Sequence, residues 1–258
     1  MRATEQETQF APTVENAAAR GRIILVCEHA SNHIPAPWGD LGLSAEQRRA
    51  HIAWDPGALG LARGLMRRLD AVLIHAPVSR LVYDCNRAPD MPGAMPARSE
   101  VHDIPGNAAI TPEERRRRTE AIYLPWHDAL HGLVMRRVAL GLQPVMVTIH
   151  SFTPVYHGKP RAVEFGIIND ADPTLPLAIH RAAQSTRLRA ELNQPYSAAD
   201  DVTHTLRVMA TPYGLPNAML EVRNDLIADA AAEEAMAEIL APVINMGLVE
   251  IQRQAKAS

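Results

Sequence analysis

The chain has 258 residues, of which 47% are hydrophobic and 21% charged, and its formal net charge is -3. Such a chain can bury a full core, and its charge excludes a global attraction to nucleic acid or to an anionic membrane. We see no apolar signal core at the N-terminus and no apolar run long enough to span a bilayer. The two cysteines lie in apolar runs without a CxxC pattern, which favours buried free thiols. We therefore expect a soluble cytoplasmic protein.

The N-terminal third combines an unpatterned start with alternating strands and helices. Residues 1–21 are polar and Ala-rich, and we expect a loose arm ahead of one catalytic domain over residues 22–258. Residues 58–69 carry apolar side chains at helical spacing, which indicates a helix that faces the core. To residue 85 the patterns predict strands at 22–27, 71–76 and 80–85 and helices at 44–52 and 58–69.

The rest of the chain begins with a long loop. Residues 88–110 hold several Pro and Gly residues and little periodicity, which is typical of a functional lid. Thr111 and Glu114 form a capping box for a helix that runs to about residue 138 with a kink at Pro125. Its basic run at 115–118 indicates a solvated helix face. Beyond it the patterns predict strands at 145–149, 161–168, 205–210 and 217–223 and helices at 175–192 and 226–246. This alternation predicts a mixed sheet with helices on both faces.

Three of the predicted strands end on a side chain that can carry chemistry. The three side chains are His29, His150 and Glu221. In open α/β sheets, ligands bind beyond the carboxyl ends of strands. Each histidine alone is either a strand-end residue that caps backbone groups or a metal ligand, and two of them together favour the metal. Burial of Glu221 would raise its pKa toward that of a general base, although an ion pair with Arg223 is the alternative.

A further polar group surrounds the predicted strand at 80–85. Arg80, Asn86 and Arg87 are suited to binding a substrate carboxylate, since guanidinium groups make bidentate contacts. The alternative is that Arg80 simply pairs with Asp84, which shares its face of the strand. Asp55, next to Pro56 and Gly57, is either a turn residue or a carboxylate metal ligand.

These motifs, in this order, resemble the zinc-dependent carboxypeptidase superfamily. Residues 149–152 (Ile-His-Ser-Phe) resemble its zinc-binding strand end, and residues 220–224 (Leu-Glu-Val-Arg-Asn) resemble the segment of its general base. Residues 86–87 (Asn-Arg) resemble its carboxylate-binding pair. Within the superfamily the chain most resembles the N-formylglutamate amidohydrolase family over roughly residues 22–245, through residues 28–31 (Glu-His-Ala-Ser), 54–58 (Trp-Asp-Pro-Gly-Ala), 79–87 and 220–226.

The resemblance implies a single three-layer α/β/α domain with a mixed, mostly parallel sheet. It implies a metal-dependent hydrolase of an N-formyl or other N-acyl amino acid such as N-formylglutamate, a small-molecule substrate linked to histidine degradation. The implied cofactor is Zn²⁺ or another divalent metal on His29, His150 and a third ligand. The superfamily's His-x-x-Glu pattern would place a glutamate at position 32, where this chain has Asn32. Asp55 is therefore the candidate third ligand, with Glu28 second.

The resemblance also assigns roles around the metal. Glu221 would be the general base, and Arg223 would orient it or stabilise the oxyanion. Arg87, with Asn86 and Arg80, would hold the substrate carboxylate.

Three other functions are weighed against this one. A deacylase or peptidase for a different N-acyl amino acid would use the same residues, and a ligand-binding homologue would keep the pocket without turnover. A serine hydrolase built on Ser151 and His150 is disfavoured because adjacent strand residues point to opposite faces. The sequence leaves the oligomeric state open.

Overall fold

The structure, a computed structural model, describes residues 10–257. Its main feature is a seven-stranded sheet. The sheet strands are β1 (Thr13–Glu15), β2 (Ile23–Cys27), β3 (Val72–His75), β6 (Val145–Phe152), β9 (Phe165–Ile168), β10 (Ala190–Leu192) and β11 (Asn217–Arg223). Their order in the sheet is β1-β3-β2-β6-β11-β9-β10. Strand β1 pairs with β3 and strand β9 with β11 in antiparallel fashion, and the four other pairs are parallel.

Two short hairpins stand outside this sheet, one formed by β4 (Arg98–Ser99) and β5 (His102–Asp103), the other by β7 (Val155–Tyr156) and β8 (Lys159–Pro160). The helices are α1 (Ala58–Leu69), α2 (Pro105–Ala108), α3 (Pro112–Arg118), α4 (Leu124–Ala139), α5 (Thr174–Ala183), α6 (His204–Met209) and α7 (Ala230–Ala257). None of the helices within residues 10–257 has the length and apolar character needed to cross a membrane.

The sheet separates two apolar cores. Successive residues of β2 alternate between them, with Ile24 in one core and Leu25 in the other, because side chains of a strand point alternately to its two faces. Helices α1, α5 and α7 cover one face. Helices α4 and α6 cover the other with the loops that follow β2 and β3. The predicted three-layer α/β/α fold with a mixed, mostly parallel sheet is confirmed.

The central strands and α1 lie where the sequence predicts them, and both cysteines are buried free thiols. The N-terminal expectation needs correction within the described residues. Residues Thr13–Glu15 form strand β1 along the edge of β3, and Phe10 is buried with its ring 5.2 Å from that of Trp38. Residues 1–9 of the expected arm lie outside the described residues.

The predicted strand at 80–85 is wrong, because polar side chains hold this segment in successive turns. The Ser79 hydroxyl accepts from the backbone N–H of Leu81, and Asp84 Oδ1 accepts from the N–H of Asn86. The backbone N–H of Val82 donates a hydrogen bond to the Ser79 carbonyl and closes the first turn. Local side-chain acceptors of this kind compete with the ladder of a sheet.

Five other elements differ from prediction, among them the C-terminal helix expected at 226–246, which spans Ala230–Ala257. The helix expected at 175–192 ends at Ala183, since the hydroxyls of Ser185 and Thr186 bond to its last carbonyls. The segment 205–210 is helical rather than extended. Its six residues are too few for the spacing of buried side chains to distinguish a helix from a strand. The helix expected at 44–52 is a single 3-10 turn at Gln47–Arg49. Instead of the expected kink at Pro125, the chain forms a π-helical turn at Thr119–Tyr123, just before that proline.

Candidate active site

The carboxyl ends of β2 and β6 bring His29 and His150 together at one edge of the sheet. Both side chains are buried, and their ring centroids are 4.9 Å apart. Asp55 joins them from the loop before α1, where its backbone N–H donates to the carbonyl of His29. Adjacent parallel strands thus build one site from parts of the chain that are 121 residues apart.

The donor atoms of these three residues converge on one point. His150 Nδ1 lies 2.9 Å from Asp55 Oδ2, and His29 Nδ1 lies 3.2 Å from both Asp55 Oδ2 and His150 Nδ1. A tetrahedral zinc ion with bonds of about 2.0–2.1 Å separates its ligands by roughly 3.3 Å. The buried group His29, Asp55 and His150 could therefore hold a metal ion.

The outer nitrogens of the two imidazoles face carboxylates. His29 Nε2 lies 2.7 Å from Asp84 Oδ1, and His150 Nε2 lies 3.2 Å from Glu28 Oε2. Carboxylates in this position fix the ring orientation of a metal-binding histidine and leave the other nitrogen free for the ion. Glu28, the second candidate for a ligand, thus lies behind His150 rather than beside its Nδ1 atom.

The electrostatics of the group match its chemistry. Burial raises the pKa of Asp55, but the two histidines outweigh burial and hold that pKa well below its usual range. Burial lowers the pKa of His150, but Glu28 and Asp55 raise it well above its usual value. Asp55 is therefore ionised, and the ionised carboxylates around the two imidazoles stabilise positive charge at this position.

Asn32, the residue in place of the expected glutamate, lies apart from these donors. Its side-chain amide donates to the carbonyl of Arg48 at 3.0 Å. Asp55 occupies the space beside the two histidines instead.

Arg80 is an ion-pair partner of the site's carboxylates. Its guanidinium lies 2.7 Å from Asp84 Oδ2 and 3.3 Å from Asp55 Oδ1. The pairing with Asp84 is the alternative that the sequence left open. Arg80 thus connects the carboxylates of Asp55 and Asp84 and fixes their positions relative to His29.

Glu221 is brought to the same edge by β11. It is buried, and its Oε2 atom has no hydrogen-bond partner among the described residues. Burial raises its pKa to about 7, with a smaller contribution from Asp55, although His150 acts in the opposite direction. A carboxyl group with this pKa can both accept and return a proton near neutral pH.

Of the remaining predicted residues, Arg87 lines the cavity without a carboxylate within 4 Å among the described residues. Both Arg87 and Asn86 line the cavity, but the Asn86 amide is engaged with Val202 O and Thr205 N. The Arg223 guanidinium bonds to Asp225 and to the carbonyl of Arg161. Arg223 is not among the residues that line the cavity within the described chain, so the structure does not place it against Glu221.

The cavity in front of the histidines has a volume of about 180 Å³. The long loop expected to be a lid contributes Ser99 and Glu100 to its wall. The cavity is also lined by His51, Tyr156 and Tyr196, which no motif of the sequence indicated. These residues lie on irregular loops and short hairpins, where no periodic pattern indicates the direction of a side chain.

The fold and the buried two-histidine, one-carboxylate group define a class of α/β protein with a metal-site-like centre at the carboxyl ends of its strands. The model of the family FGase, N-formylglutamate amidohydrolase, matches residues 21–228. The chain belongs to the N-formylglutamate amidohydrolase family.

Two solved structures are similar over nearly the whole chain. Gene product Atu2144 from Agrobacterium tumefaciens is 50% identical, with a TM-score of 0.93 over 96% of this chain and 98% of that one. N-formylglutamate amidohydrolase from Ralstonia eutropha JMP134 is 17% identical, with a TM-score of 0.65 over 96% of this chain and 99% of that one. The second likeness shows the fold alone. No match was found among curated proteins.

Proposed function

We propose that this protein is a metal-dependent amidohydrolase that cleaves the amide bond of an N-formyl or other N-acyl amino acid, with N-formylglutamate as the first candidate. The observation that carries the proposal is the convergence of three donor atoms, His29 Nδ1, His150 Nδ1 and Asp55 Oδ2, beside a buried glutamate. The family supports the reaction type.

His29, Asp55 and His150 would hold the metal, and Zn²⁺ suits two imidazoles and one carboxylate. When bound, such an ion lowers the pKa of water to about 7 and polarises a carbonyl. Asp84 keeps the His29 ring oriented through its hydrogen bond to Nε2, and Glu28 places a negative charge beside Nε2 of His150.

Glu221 would act as general base and then as general acid. Its carboxylate takes a proton from the attacking water, whose oxygen adds to the acyl carbon. It then gives the proton to the amide nitrogen as the C–N bond breaks, which yields a carboxylic acid and a free amino acid. Formate is the acid when the acyl group is formyl.

Arg87 would bind the α-carboxylate of the substrate. Within the described residues its guanidinium has no carboxylate within 4 Å, and its Nη1 donates to the carbonyl of Asn86. Asn86 fixes the loop that carries Arg87 through its bonds to Val202 and Thr205. In this proposal Arg80 positions Asp55 and Asp84 instead of contacting the substrate, and Arg223 supports the neighbouring loop.

The test is a substrate panel on protein purified without chelator. It compares formate release from N-formylglutamate with release of acetate, succinate or an amino acid from N-acetylglutamate, N-succinylglutamate and glutamyl dipeptides. Formate release that falls on chelation and returns with Zn²⁺ supports the proposal. Preferred release of another acid indicates a different deacylase, and metal binding without any turnover indicates a ligand-binding homologue.

A further inference from the structure

Arg161 follows strand β8 and lies over three aromatic rings of the cavity wall. Its guanidinium carbon is 4.3 Å from the ring centroid of Tyr156, 4.8 Å from that of Tyr196 and 5.6 Å from that of Phe152. All three rings line the cavity in front of His29 and His150, and Arg161 lies against these rings without being one of the lining residues itself. Each distance is within the range of a cation–π contact.

Both ends of Arg161 are held in place. Its Nη1 donates to the hydroxyl of Tyr196 at 2.9 Å, and its backbone N–H donates to the carbonyl of Pro154 at 2.8 Å. Its own carbonyl accepts from Arg223 Nη1 at 3.3 Å. The guanidinium is therefore held against rings of the cavity wall before any ligand binds, which reduces the entropy lost on binding.

The charge of Arg161 is not neutralised by the protein. In residues 10–257 no carboxylate lies within 4 Å of its guanidinium, and the same holds for Arg87. Arg80 differs, since Asp55 and Asp84 both pair with it. Arg87 lines the cavity and Arg161 lies against three of its lining rings, so two cations without a directly bonded carboxylate are close to one small cavity, and only one is needed for an α-carboxylate.

The surroundings of Arg161 favour an anionic ligand. Three rings displace water from around the guanidinium, and a lower local dielectric strengthens its attraction to a carboxylate. Arginine also presents two parallel N–H donors to a carboxylate, which gives directional as well as electrostatic selection.

We propose that Arg161 is the specificity-determining residue for the substrate side chain, and that it binds a second acidic group while Arg87 binds the α-carboxylate. The assignment rests on the proposed function for the identity of the substrate, but the binding preference that it predicts does not require turnover.

The experiment measures binding in a Glu221→Gln background, so that hydrolysis does not interfere. Isothermal titration calorimetry compares N-formylglutamate with N-formylglutamine, which has the same shape and a neutral side chain. We expect the acid to bind about 10- to 100-fold more tightly, since a hydrogen bond to a charged group has this effect. Adding Arg161→Ala should reduce the preference to less than about threefold and leave N-formylglutamine affinity unchanged.

Three further variants control for charge and folding. Arg253→Ala removes the same charge from the exposed end of α7 and should keep the preference. Tyr196→Phe retains the ring but removes the acceptor of Arg161 Nη1, and should reduce the preference in part. Arg161→Lys keeps the charge without the planar fork and gives an intermediate value if Arg161→Ala does not fold.

The outcomes separate this inference from the proposed reaction. If Arg161→Ala weakened the binding of N-formylglutamate and N-formylglutamine equally, the role of Arg161 would be structural and the assignment would be overturned. An unchanged preference for the acid would overturn it too, as would a Glu221→Gln parent that binds neither ligand. If the wild type releases no formate but Arg161→Ala still abolishes the preference for the acid, the reaction is wrong and the role of Arg161 stands.

Discussion

Glu221 and His150 are register partners on the adjacent parallel strands β11 and β6. Register partners project from the same face of a sheet, so a buried carboxyl group and a buried imidazole meet at one edge. This pairing brings the candidate base next to the candidate metal ligands although 71 positions of the chain separate them, from 150 to 221. The proposed chemistry depends on this register.

Replacing Glu221 by Gln should lower kcat for amide hydrolysis by about 10²- to 10⁴-fold, because the amide keeps the shape but cannot take a proton. Metal content should not change, since Glu221 is not one of the three converging ligands. The measurements are formate release from N-formylglutamate and elemental analysis of the same sample. Glu191→Gln on the edge strand β10 of the same sheet is the matched control. A Glu221→Gln enzyme with more than a tenth of the wild-type rate would exclude Glu221 as the base.

Replacing Asp55 by Asn should remove most of the bound metal from protein purified without chelator. Asp55 Oδ2 is the negative atom that faces both Nδ1 atoms, and a neutral amide is a much weaker ligand. Inductively coupled plasma mass spectrometry gives the metal per chain. Asp225→Asn, whose carboxylate pairs with Arg223, should keep the wild-type content. Full metal content in the Asp55 variant would show that the ion binds elsewhere.

Replacing Asp84 by Asn should weaken metal affinity by about 10- to 100-fold without changing the ligands. Asp84 Oδ1 holds His29 through Nε2. Burial raises the pKa of Asp84, but Arg80 and His29 outweigh burial and hold that pKa well below its usual range, so Asp84 is ionised. Competition with a chromophoric chelator measures the affinity. An unchanged affinity would mean that Asp84 serves only to pair with Arg80.

The strands that carry the site could be predicted because each is an apolar run that ends on a polar residue. Strands β2, β6 and β11 are buried along most of their length, and each contains an apolar run, at 23–27, 145–147 and 218–220. His29, His150 and Glu221 stand out where these runs end. Pattern alone was sufficient for this part of the fold.

The loops of the site could not be predicted in the same way. The direction of Asp55 depends on a tertiary bond from its N–H to the carbonyl of His29, and nothing local indicates it. The turns around Asp84 result from side-chain acceptors that compete with a strand pattern. Arg161 depends on aromatic residues from three different segments. Long-range contacts of this kind leave no periodic signal in the sequence.

Two glycines allow a test of how rigidly the loop after Asp55 is built. Gly57 has a φ of +78°, and a Cβ there would lie 2.2 Å from the carbonyl oxygen of Ile227. Gly57→Ala should therefore lower the free energy of unfolding by more than about 2 kcal/mol. Gly132 lies in α4 with open space around its Cα, so Gly132→Ala should raise that free energy by about 0.5–1 kcal/mol. Urea unfolding followed by circular dichroism measures both, and equal effects would contradict the described backbone.

Glu114, in the first turn of α3, should make the stability of the fold depend on acidic pH. Its carboxylate accepts from Trp38 Nε1, Arg117 Nε and Arg118 Nε at 2.7–2.8 Å. Burial raises the pKa of Glu114, but these donors outweigh burial and lower it to about 2 from the model-compound value of 4.5. Because the folded pKa is the lower one, the stabilisation is fully present above pH 4.5 and is lost as the pH falls toward 2.

Glu114→Gln should therefore lower the free energy of unfolding by about 1–2 kcal/mol at pH 7, a value reduced for the solvent that reaches the pair. The difference from wild type should shrink between pH 4.5 and pH 2, because the wild-type carboxyl becomes neutral there as well. Glu113→Gln in the same turn, with a side chain 74% exposed, should change stability by less than about 0.5 kcal/mol at any pH. Urea titrations at a series of pH values measure all three proteins. A difference between wild type and Glu114→Gln that stayed constant down to pH 2 would show that the hydrogen bonds of Glu114 do not depend on its charge.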